Sequence, residues 1–371
     1  MNITRRKRIK LFKDEVDKNW NEYFISFIVN NPETEDKWGY LSGNHNITIE
    51  TIKQFPNKDW DWNLLSKNPG ISMKDIENNP TLPWNLRSVS ENPNLTIKYV
   101  LDNPTKPWSY NSISYNKSIT INDIEKNPNF EWNYGWLSFH VNITLDFLKK
   151  YQDKPWNFFH LSKNKHITMD IVEYYINENW SWTYLSKNPS MTPEIIESNL
   201  DKPWRWEYMA SNLSMTLDFV LRHEDKNWCW GFLSSNLPIT LEMIDLYADK
   251  PWDWVNISQN KSITCDIIDA NPNRPWDDLC ISLNPNITID YIGRKPNFNW
   301  SWRMLWIKNF LFDKNIFMNK KYREHIAAYK IQQFWNKVVS VPDYAICRQM
   351  VYTTYIKSFV MSLVLKELMN K

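Results

Sequence analysis

The chain has 371 residues, a formal net charge of +2 and an aromatic content of 15%, so it can bury a large core. Its four cysteines form no Cys-x-x-Cys pair, which excludes a disulfide framework and a zinc site of the usual spacing. Six dispersed histidines and six glycines supply neither a metal-ligand spacing nor a phosphate-binding loop.

The N-terminal segment, residues 1–35, is predicted to be a basic helical cap. Residues 1–13 contain six basic and no acidic side chains. The run Arg5-Arg6-Lys7-Arg8 is either a nucleic-acid or nuclear-import patch or the solvated start of a helix. No apolar segment follows it, as a secretory signal would require, so we expect an intracellular protein that is not secreted.

A tryptophan then recurs every 24 residues without insertion or deletion. A fixed period of this length is typical of stacked supersecondary units that cannot bury their apolar faces alone. The eleven residues are Trp60, Trp84, Trp108, Trp132, Trp156, Trp180, Trp204, Trp228, Trp252, Trp276 and Trp300.

A hydroxyl residue keeps the same period and predicts the start of a helix in each unit. It follows an apolar residue and precedes an aliphatic one by four positions, as in the hydrophobic staple around an N-cap. Eight units also carry an acidic residue two positions after the cap, where it favours the positive end of the helix dipole. The predicted caps are Thr48, Ser72, Thr96, Thr120, Thr144, Thr168, Thr192, Thr216, Thr240, Thr264 and Thr288.

The other half of each unit predicts a second short helix that begins at the tryptophan. In many units a proline precedes the tryptophan, as Pro251 precedes Trp252. The asparagine eight residues after the tryptophan, for example Asn68, is expected to close the helix in the left-handed conformation. Two helices of about 7 to 9 residues with two tight turns would fill the 24 residues.

These patterns predict an all-α fold, an α-solenoid of 24-residue two-helix repeats with helical end caps. Residues 36–308 form an elongated array of about eleven repeats in this interpretation. The alternative is a leucine-rich-repeat-like solenoid, since Leu65 stands three residues before Asn68. The apolar spacing Trp60, Trp62, Leu65 and the proline after Asn68 favour the helical array.

The aromatic rows allow two interpretations. They are either the core, each indole donating its N–H to a turn carbonyl, or a platform for bases or sugars. The same choice applies to the second row, which includes Trp62 and Trp182. A serine six residues after the tryptophan, such as Ser66, recurs too often to be a nucleophile. We therefore nominate no catalytic, cofactor-binding or metal-binding residue, and we expect no enzymatic activity and no cofactor.

Residues 309–371 are predicted to be a C-terminal helical cap. Residues 327–337 have helical apolar spacing, and a second helix is expected after residues 341–344. This tail is either the polar end of the array or a docking helix. Its most apolar stretch, Phe359 to Leu365, is too short to cross a bilayer, so we expect no membrane partner.

Charge is distributed unevenly along the chain. Residues 14–307 hold 38 acidic and 27 basic side chains, whereas both ends are basic. Affinity for nucleic acid depends largely on Lys and Arg displacing counterions from phosphates. Nucleic acid is therefore an improbable partner for the array, although the basic termini would bind it weakly.

The phrase Lys-Pro-Trp-x-Trp-x-x-Leu-Ser-x-Asn-Pro-x-Ile-Thr resembles tandem repeats of uncharacterised proteins of giant nucleocytoplasmic DNA viruses of the mimivirus kind. Units such as Asn179-Trp180-Ser181-Trp182 through Thr192 carry it, and Lys330 to Trp335 resembles the C-terminal helix of that group. The resemblance covers residues 36 to about 350, with departures at Asp278 and Ala210. It implies a viral lineage and a host cytoplasm or virus-factory location, and it implies no activity.

Three functions follow as hypotheses. The first is a non-enzymatic repeat scaffold that mediates protein–protein interaction with a host or viral partner. The second is a structural component of the virion or virus factory. The third is weak nucleic-acid binding through the basic termini.

Overall fold

The computed structural model describes residues 2–139 and 141–340, and in these ranges the chain is helical with no strand. The predicted all-α solenoid is confirmed, and the leucine-rich-repeat alternative is wrong for the described residues. The chain divides into two compact units. One is Tyr23–Phe310, and the other contains Met1–Glu22 and the segment that begins at Leu311.

Two kinds of short helix alternate between the long helices α1 (Asn2–Asn30) and α25 (Leu311–Ser340). We call them Trp helices and Thr helices. The Trp helices are α2 (Lys37–Ser42), α4 (Trp62–Ser66), α6 (Leu86–Val89), α8 (Tyr110–Tyr115), α10 (Tyr134–Leu137), α12 (Phe158–Leu161), α14 (Trp182–Lys187), α16 (Trp206–Met209), α18 (Trp230–Asn236), α20 (Trp254–Ser258), α22 (Asp278–Leu283) and α24 (Trp302–Ile307).

The Thr helices follow the predicted caps. In nine of these helices the cap oxygen accepts a backbone N–H from the first turn, as Thr96 accepts from Tyr99 at 3.2 Å. The predicted helix starts are therefore confirmed. The Thr helices are α3 (Ile49–Gln54), α5 (Met73–Asn78), α7 (Ile97–Asp102), α9 (Ile121–Lys126), α11 (Leu145–Lys150), α13 (Met169–Tyr174), α15 (Pro193–Glu197), α17 (Leu217–Arg222), α19 (Leu241–Leu246), α21 (Cys265–Ala270) and α23 (Ile289–Arg294).

The Trp helices begin later than predicted. The residue after the tryptophan is the N-cap, and the helix starts at the following residue. Asp61, for example, accepts the N–H groups of Asn63 and Leu64. The short helices of both kinds have 4 to 7 residues instead of the predicted 7 to 9, because caps and turns occupy more of each unit.

Buried asparagines connect successive units, and their predicted left-handed conformation is wrong. Asn116 has φ −69° and ψ 124°, in the extended region. The side chain of Asn92 donates to the carbonyls of Ser66, Asn68 and Ile71 in the preceding unit at 3.0, 3.2 and 3.1 Å. The asparagine is thus a rung between units, and it satisfies carbonyls that the short helices leave unpaired.

The recurring serine makes a second connection. The Ser66 hydroxyl donates to the carbonyl of Trp62 and accepts the backbone N–H of Asn85 in the next unit at 2.9 Å. Both roles are structural, which agrees with the prediction from its repetition.

The tryptophan rows form the core. Each of the eleven periodic indoles donates to a carbonyl of the turn before it, as Trp204 does to Asn199 at 2.7 Å. Second-row aromatics pack edge-to-face on the tryptophan of the next unit, with ring centroids 5.1 Å apart for Trp182 and Trp204. The first row is buried or half-buried, which supports the core interpretation, whereas most of the second row is half-buried and Tyr110 is exposed.

The array within Tyr23–Phe310 closes on itself instead of ending in two caps. Asn44 in the first unit donates to the carbonyls of Trp306 and Lys308 at 2.8 and 2.9 Å. Asn68 makes the same two contacts, at the same repeat positions, to Ser42 and Asn44. The last Trp helix α24 therefore stands directly before the first Trp helix α2, and the two pack closely.

The last unit is completed by residues from the other end of the array. Residues 23–30 of α1 occupy the place of a Thr helix, and the rings of Phe27 and Trp306 lie 5.6 Å apart. Phe24, Phe27 and Ile28 are buried there. The sequence predicts an N-terminal cap at residues 1–35, whereas residues 23–35 belong to the compact unit as half of the last repeat.

Lys37 replaces the missing tryptophan of the first unit, where Asp36 stands at the periodic position. Its ammonium group donates to the carbonyls of Ile28 and Asn31 at 2.8 and 3.1 Å and lies 4.6 Å from the Trp306 ring centroid. Asn31 is at the position whose carbonyl accepts the indole N–H in the other units. Burial lowers the pKa of Lys37.

In the other compact unit, α25 includes the helix predicted at residues 327–337. Trp20 of α1 lies edge-on to Phe317, and Lys314 pairs with Asp17. The helix expected after residues 341–344 lies outside the described residues.

Candidate functional site

The repeat departs from its consensus on one stretch of the Trp helices. Three, four and seven residues after the tryptophan, several units carry small or polar side chains, whereas neighbouring units carry aromatic and lysine side chains. We call this set the aromatic–lysine surface. It consists of Tyr115, Trp136, Phe139, Phe159, His160, Lys163, Tyr184, Lys187 and Tyr208.

The Trp helices place this surface on the inner side of the array. Eight of the twelve neighbouring pairs of Trp helices pack closely along their backbones, among them α8 with α10 and α14 with α16, whereas no pair of Thr helices in the described residues packs as closely. In a closed array the more closely spaced row lies on the shorter, inner circumference. Tyr115, Trp136 and Phe159 remain 45%, 37% and 45% exposed there, although they are large aromatic residues.

One half of the surface is a stack of rings. Trp136 is nearly parallel to Phe139 and to His160, with ring centroids 5.6 Å away in both cases. Tyr115 lies edge-on to Trp136 at 5.6 Å. Nδ1 of His160 is 2.8 Å from the carbonyl of Gly135, and because a carbonyl can only accept, Nδ1 carries the proton. The imidazole orientation is thereby fixed.

The other half is built around Lys163. Its ammonium nitrogen lies 5.2, 4.7 and 4.1 Å from the ring centroids of Phe139, Phe159 and Tyr184. Each such cation–π contact contributes about 0.5–1 kcal/mol at an exposed site. Three aromatic rings therefore hold one ammonium group in a defined position.

One unit farther on, Lys187 lies near two aromatic rings. Its ammonium nitrogen lies 4.7 Å from the Tyr208 ring centroid and 5.9 Å from that of Tyr184. Within residues 2–139 and 141–340, no carboxylate forms an ion pair with Lys163 or Lys187. By contrast Lys67, which holds the same repeat position as Lys163, pairs with Glu91 at 3.2 Å.

Charge is separated between the two faces in this part of the array. The Trp-helix halves 108–119, 132–143, 156–167 and 180–191 contain four lysines and no acidic residue. Between residues 108 and 203, every Asp and Glu belongs to the Thr-helix halves. A positive aromatic surface thus lies within an array whose total charge is negative.

No residue of this surface is among the sites predicted from the sequence, since none is predicted. The sequence signal for this surface is the aromatic and lysine residues at three, four and seven positions after the tryptophan, where several other units have small or polar residues. His160 joins the surface, whereas His223 lies 3.3 Å from Glu197. The Arg5–Arg8 side chains lie outside the described residues.

The described residues contain no cluster of three or more His, Cys, Asp or Glu able to hold a metal ion. None of their helices is long and apolar enough to cross a membrane. Comparison of the chain with known protein families, curated proteins and solved structures finds no match. The aromatic–lysine surface is therefore the basis of the functional assignment.

Proposed function

We propose that the protein is a non-catalytic repeat scaffold that binds a protein partner through the aromatic–lysine surface. Exposed aromatic residues next to one another are unusual on a soluble surface and are enriched at protein interfaces. The observation that supports the proposal best is the exposure of Tyr115, Trp136 and Phe159 within one unbroken set of ring contacts.

The rigid setting of these rings favours binding. A serine hydroxyl joins each of the units between residues 108 and 205 to the next, so the aromatic side chains are held before a partner arrives. A preorganised surface loses less conformational entropy on binding. In line with the sequence resemblance, we propose a host or viral protein as the partner, inside an infected cell.

Site-specific photocrosslinking tests this proposal. A benzoylphenylalanine at Phe159 should crosslink a discrete partner in the cells that make the protein. The control position is Leu246, which is 74% exposed on the Thr helix α19. Equal crosslinking at both positions, or none at Phe159, would refute the assignment of the surface.

A pair of substitutions provides the complementary experiment. Without the crosslinker, Trp136→Ser with Phe159→Ser should abolish co-purification of the partner that crosslinking identified, whereas Leu246→Ser should leave it unchanged. Far-UV circular dichroism of each variant checks that the fold is retained. Undiminished recovery with the double variant would count against the proposal.

A further inference from the structure

We propose that the partner segment on the aromatic–lysine surface is an acidic peptide in extended conformation. This inference rests on the proposed scaffold function and specifies the chemistry that the surface selects. It is carried by the aromatic cage around Lys163 and by the absence of carboxylates from the Trp-helix halves between residues 108 and 191.

Charge separation selects an acidic ligand and also orients it. An acidic segment is repelled by the Thr-helix halves between residues 120 and 203, which hold eleven acidic and five basic side chains. It is attracted by the four lysines of the Trp-helix halves. Because screening limits such forces to about 8 Å at physiological ionic strength, the local positive surface outweighs the distant negative charge.

The ammonium groups of Lys163 and Lys187 lie close enough together for neighbouring carboxylates of one extended chain. Lys163 and Lys187 both lie within 6 Å of the Tyr184 centroid, at 4.1 and 5.9 Å, so their nitrogens are at most about 10 Å apart. In a strand-like peptide, side chains at positions i and i+2 point to the same face about 7 Å apart. The separation of two such carboxylates lies within this upper limit.

The rings hold the lysines ready for an acceptor. A free lysine side chain loses considerable rotamer entropy when it forms an ion pair. Here the rings of Phe139, Phe159 and Tyr184 already restrict Lys163, and none of the described carboxylates competes for it. Part of the ordering cost is thus met within the folded protein.

The ring arrangement disfavours single-stranded nucleic acid at the same place. Bases stack on open aromatic faces. The faces of Phe159, Tyr184 and Tyr208 have ammonium groups over them, and Trp136 stacks on Phe139 and His160. Ring edges carry partial positive charge and suit the oxygen atoms of carboxylates and peptide carbonyls.

Fluorescence anisotropy with the full chain tests the proposal. The probe is a fluorescein-labelled peptide of alternating Glu and Tyr, about twelve residues long so that it spans several units at 3.3 Å per residue. The matched peptide has Gln in place of Glu, and the third probe is a labelled oligouridylate of similar length. We expect the Glu peptide to bind about tenfold more tightly than either of the other two, since two charge pairs are involved.

Lysine variants locate the binding site. Lys163→Gln with Lys187→Gln should weaken binding of the Glu peptide about tenfold, because two charge-assisted contacts are lost. Lys67→Gln is the control, because Lys67 has the same repeat position and is already paired with Glu91. It should leave the affinity within about twofold of the native value.

Three results would overturn the inference: equal affinity for the Gln peptide, tighter binding of the oligouridylate, or indifference to the double lysine variant. A concentration-dependent dimer in sedimentation, abolished by the same variant, would identify a second copy as the occupant instead. Photocrosslinking at Phe159 keeps the two proposals separable. A crosslinked partner without preference for the Glu peptide would leave the scaffold proposal standing and remove only the acidic-peptide inference.

Discussion

Asn92 shows how much one buried amide contributes to the array. Replacing it with leucine removes the donor from the carbonyls of Ser66, Asn68 and Ile71 while roughly preserving volume. We expect Asn92→Leu to lower the free energy of unfolding by about 2–4 kcal/mol, because buried carbonyls lose their partner. Urea denaturation followed by circular dichroism measures this difference.

Asn236 provides the internal control. It has the same repeat position, but its contact to the preceding unit is one donation to Ala210 at 3.5 Å. Asn236→Leu should therefore cost about 1 kcal/mol or less. Equal losses for the two variants would mean that the inter-unit bonds do not determine the stability.

Tyr291 links stability to alkaline pH. Its hydroxyl donates to Asp269 at 2.8 Å, and burial, followed by this carboxylate, raises the pKa of Tyr291. A raised folded-state pKa means that the stabilisation is present below the ordinary tyrosine pKa of about 10 and is lost as the pH rises above it. Tyr291→Phe should cost about 1–2 kcal/mol at neutral pH.

The pH dependence of that difference is the decisive measurement. Urea denaturation of the native protein and of Tyr291→Phe, at neutral pH and again above pH 10, should show that their difference in unfolding free energy becomes smaller as the pH rises. A gap that stays constant or widens would contradict the assigned bond between Tyr291 and Asp269.

At this scale the sequence predicted the caps and misassigned the asparagines. Thr96 needs only its own first turn to act, so the local pattern contains the information. The partners of Asn92 lie 21 to 26 residues away along the chain, so their role depends on how units stack. The aromatic–lysine surface has the same origin, because Lys163 meets Phe139 and Tyr184 from two other units.

Among the elements, α1 is the one whose role the sequence concealed. Phe24 stands where other units have the capping threonine, and the helix continues without interruption from residue 2. Without a cap signal, the start of the half-repeat at residue 23 cannot be seen locally. The role of its apolar residues Phe27 and Ile28 becomes clear only in the closed array, where Phe27 contacts Trp306 and both side chains are buried.

Because α1 completes the last unit, Phe27 should contribute as much to the free energy of unfolding as a residue in the middle of the array. Phe27 has the same repeat position as Phe147, and both are 5% exposed. We expect Phe27→Ala and Phe147→Ala to destabilise the protein by similar amounts, about 3–5 kcal/mol each. Thermal and urea unfolding of the two variants provide the comparison.

Val29 on the same helix serves as the control, since it is 59% exposed. Val29→Ala should change the free energy of unfolding by no more than about 0.5 kcal/mol. If Phe27→Ala were as mild as Val29→Ala, the last unit would not be completed by α1.

For the compact unit Tyr23–Phe310 as a whole, closure predicts uniform protection from hydrogen exchange. In an open solenoid the terminal repeats have one neighbour each and open first. Here α2 and α24 are neighbours, so their amides should exchange as slowly as those of α12 and α14. Mass spectrometry of exchanged peptides measures this profile.

A variant that disrupts the contact between the first and last units tests whether slow hydrogen exchange in α2 and α24 depends on closure. Phe27→Asp places a charge against the Trp306 ring. It should speed exchange in α2 and α24 first and leave α12 and α14 protected. Rapid exchange of α2 and α24 already in the native protein would indicate an open array.

Closure also changes how such a protein can vary in length over evolution. An open solenoid can gain or lose one repeat by duplication or deletion of its coding segment, since each repeat contacts only its neighbours. In the described part of this chain, the first and last Trp helices α2 and α24 are neighbours, so every interface must have a geometry that lets the array close. A single inserted 24-residue unit would leave Asn44 and Trp306 no longer adjacent unless every junction adjusted together. The number of repeats is thus fixed by the closure of the whole array. The regular 24-residue spacing without insertion or deletion agrees with such a constraint.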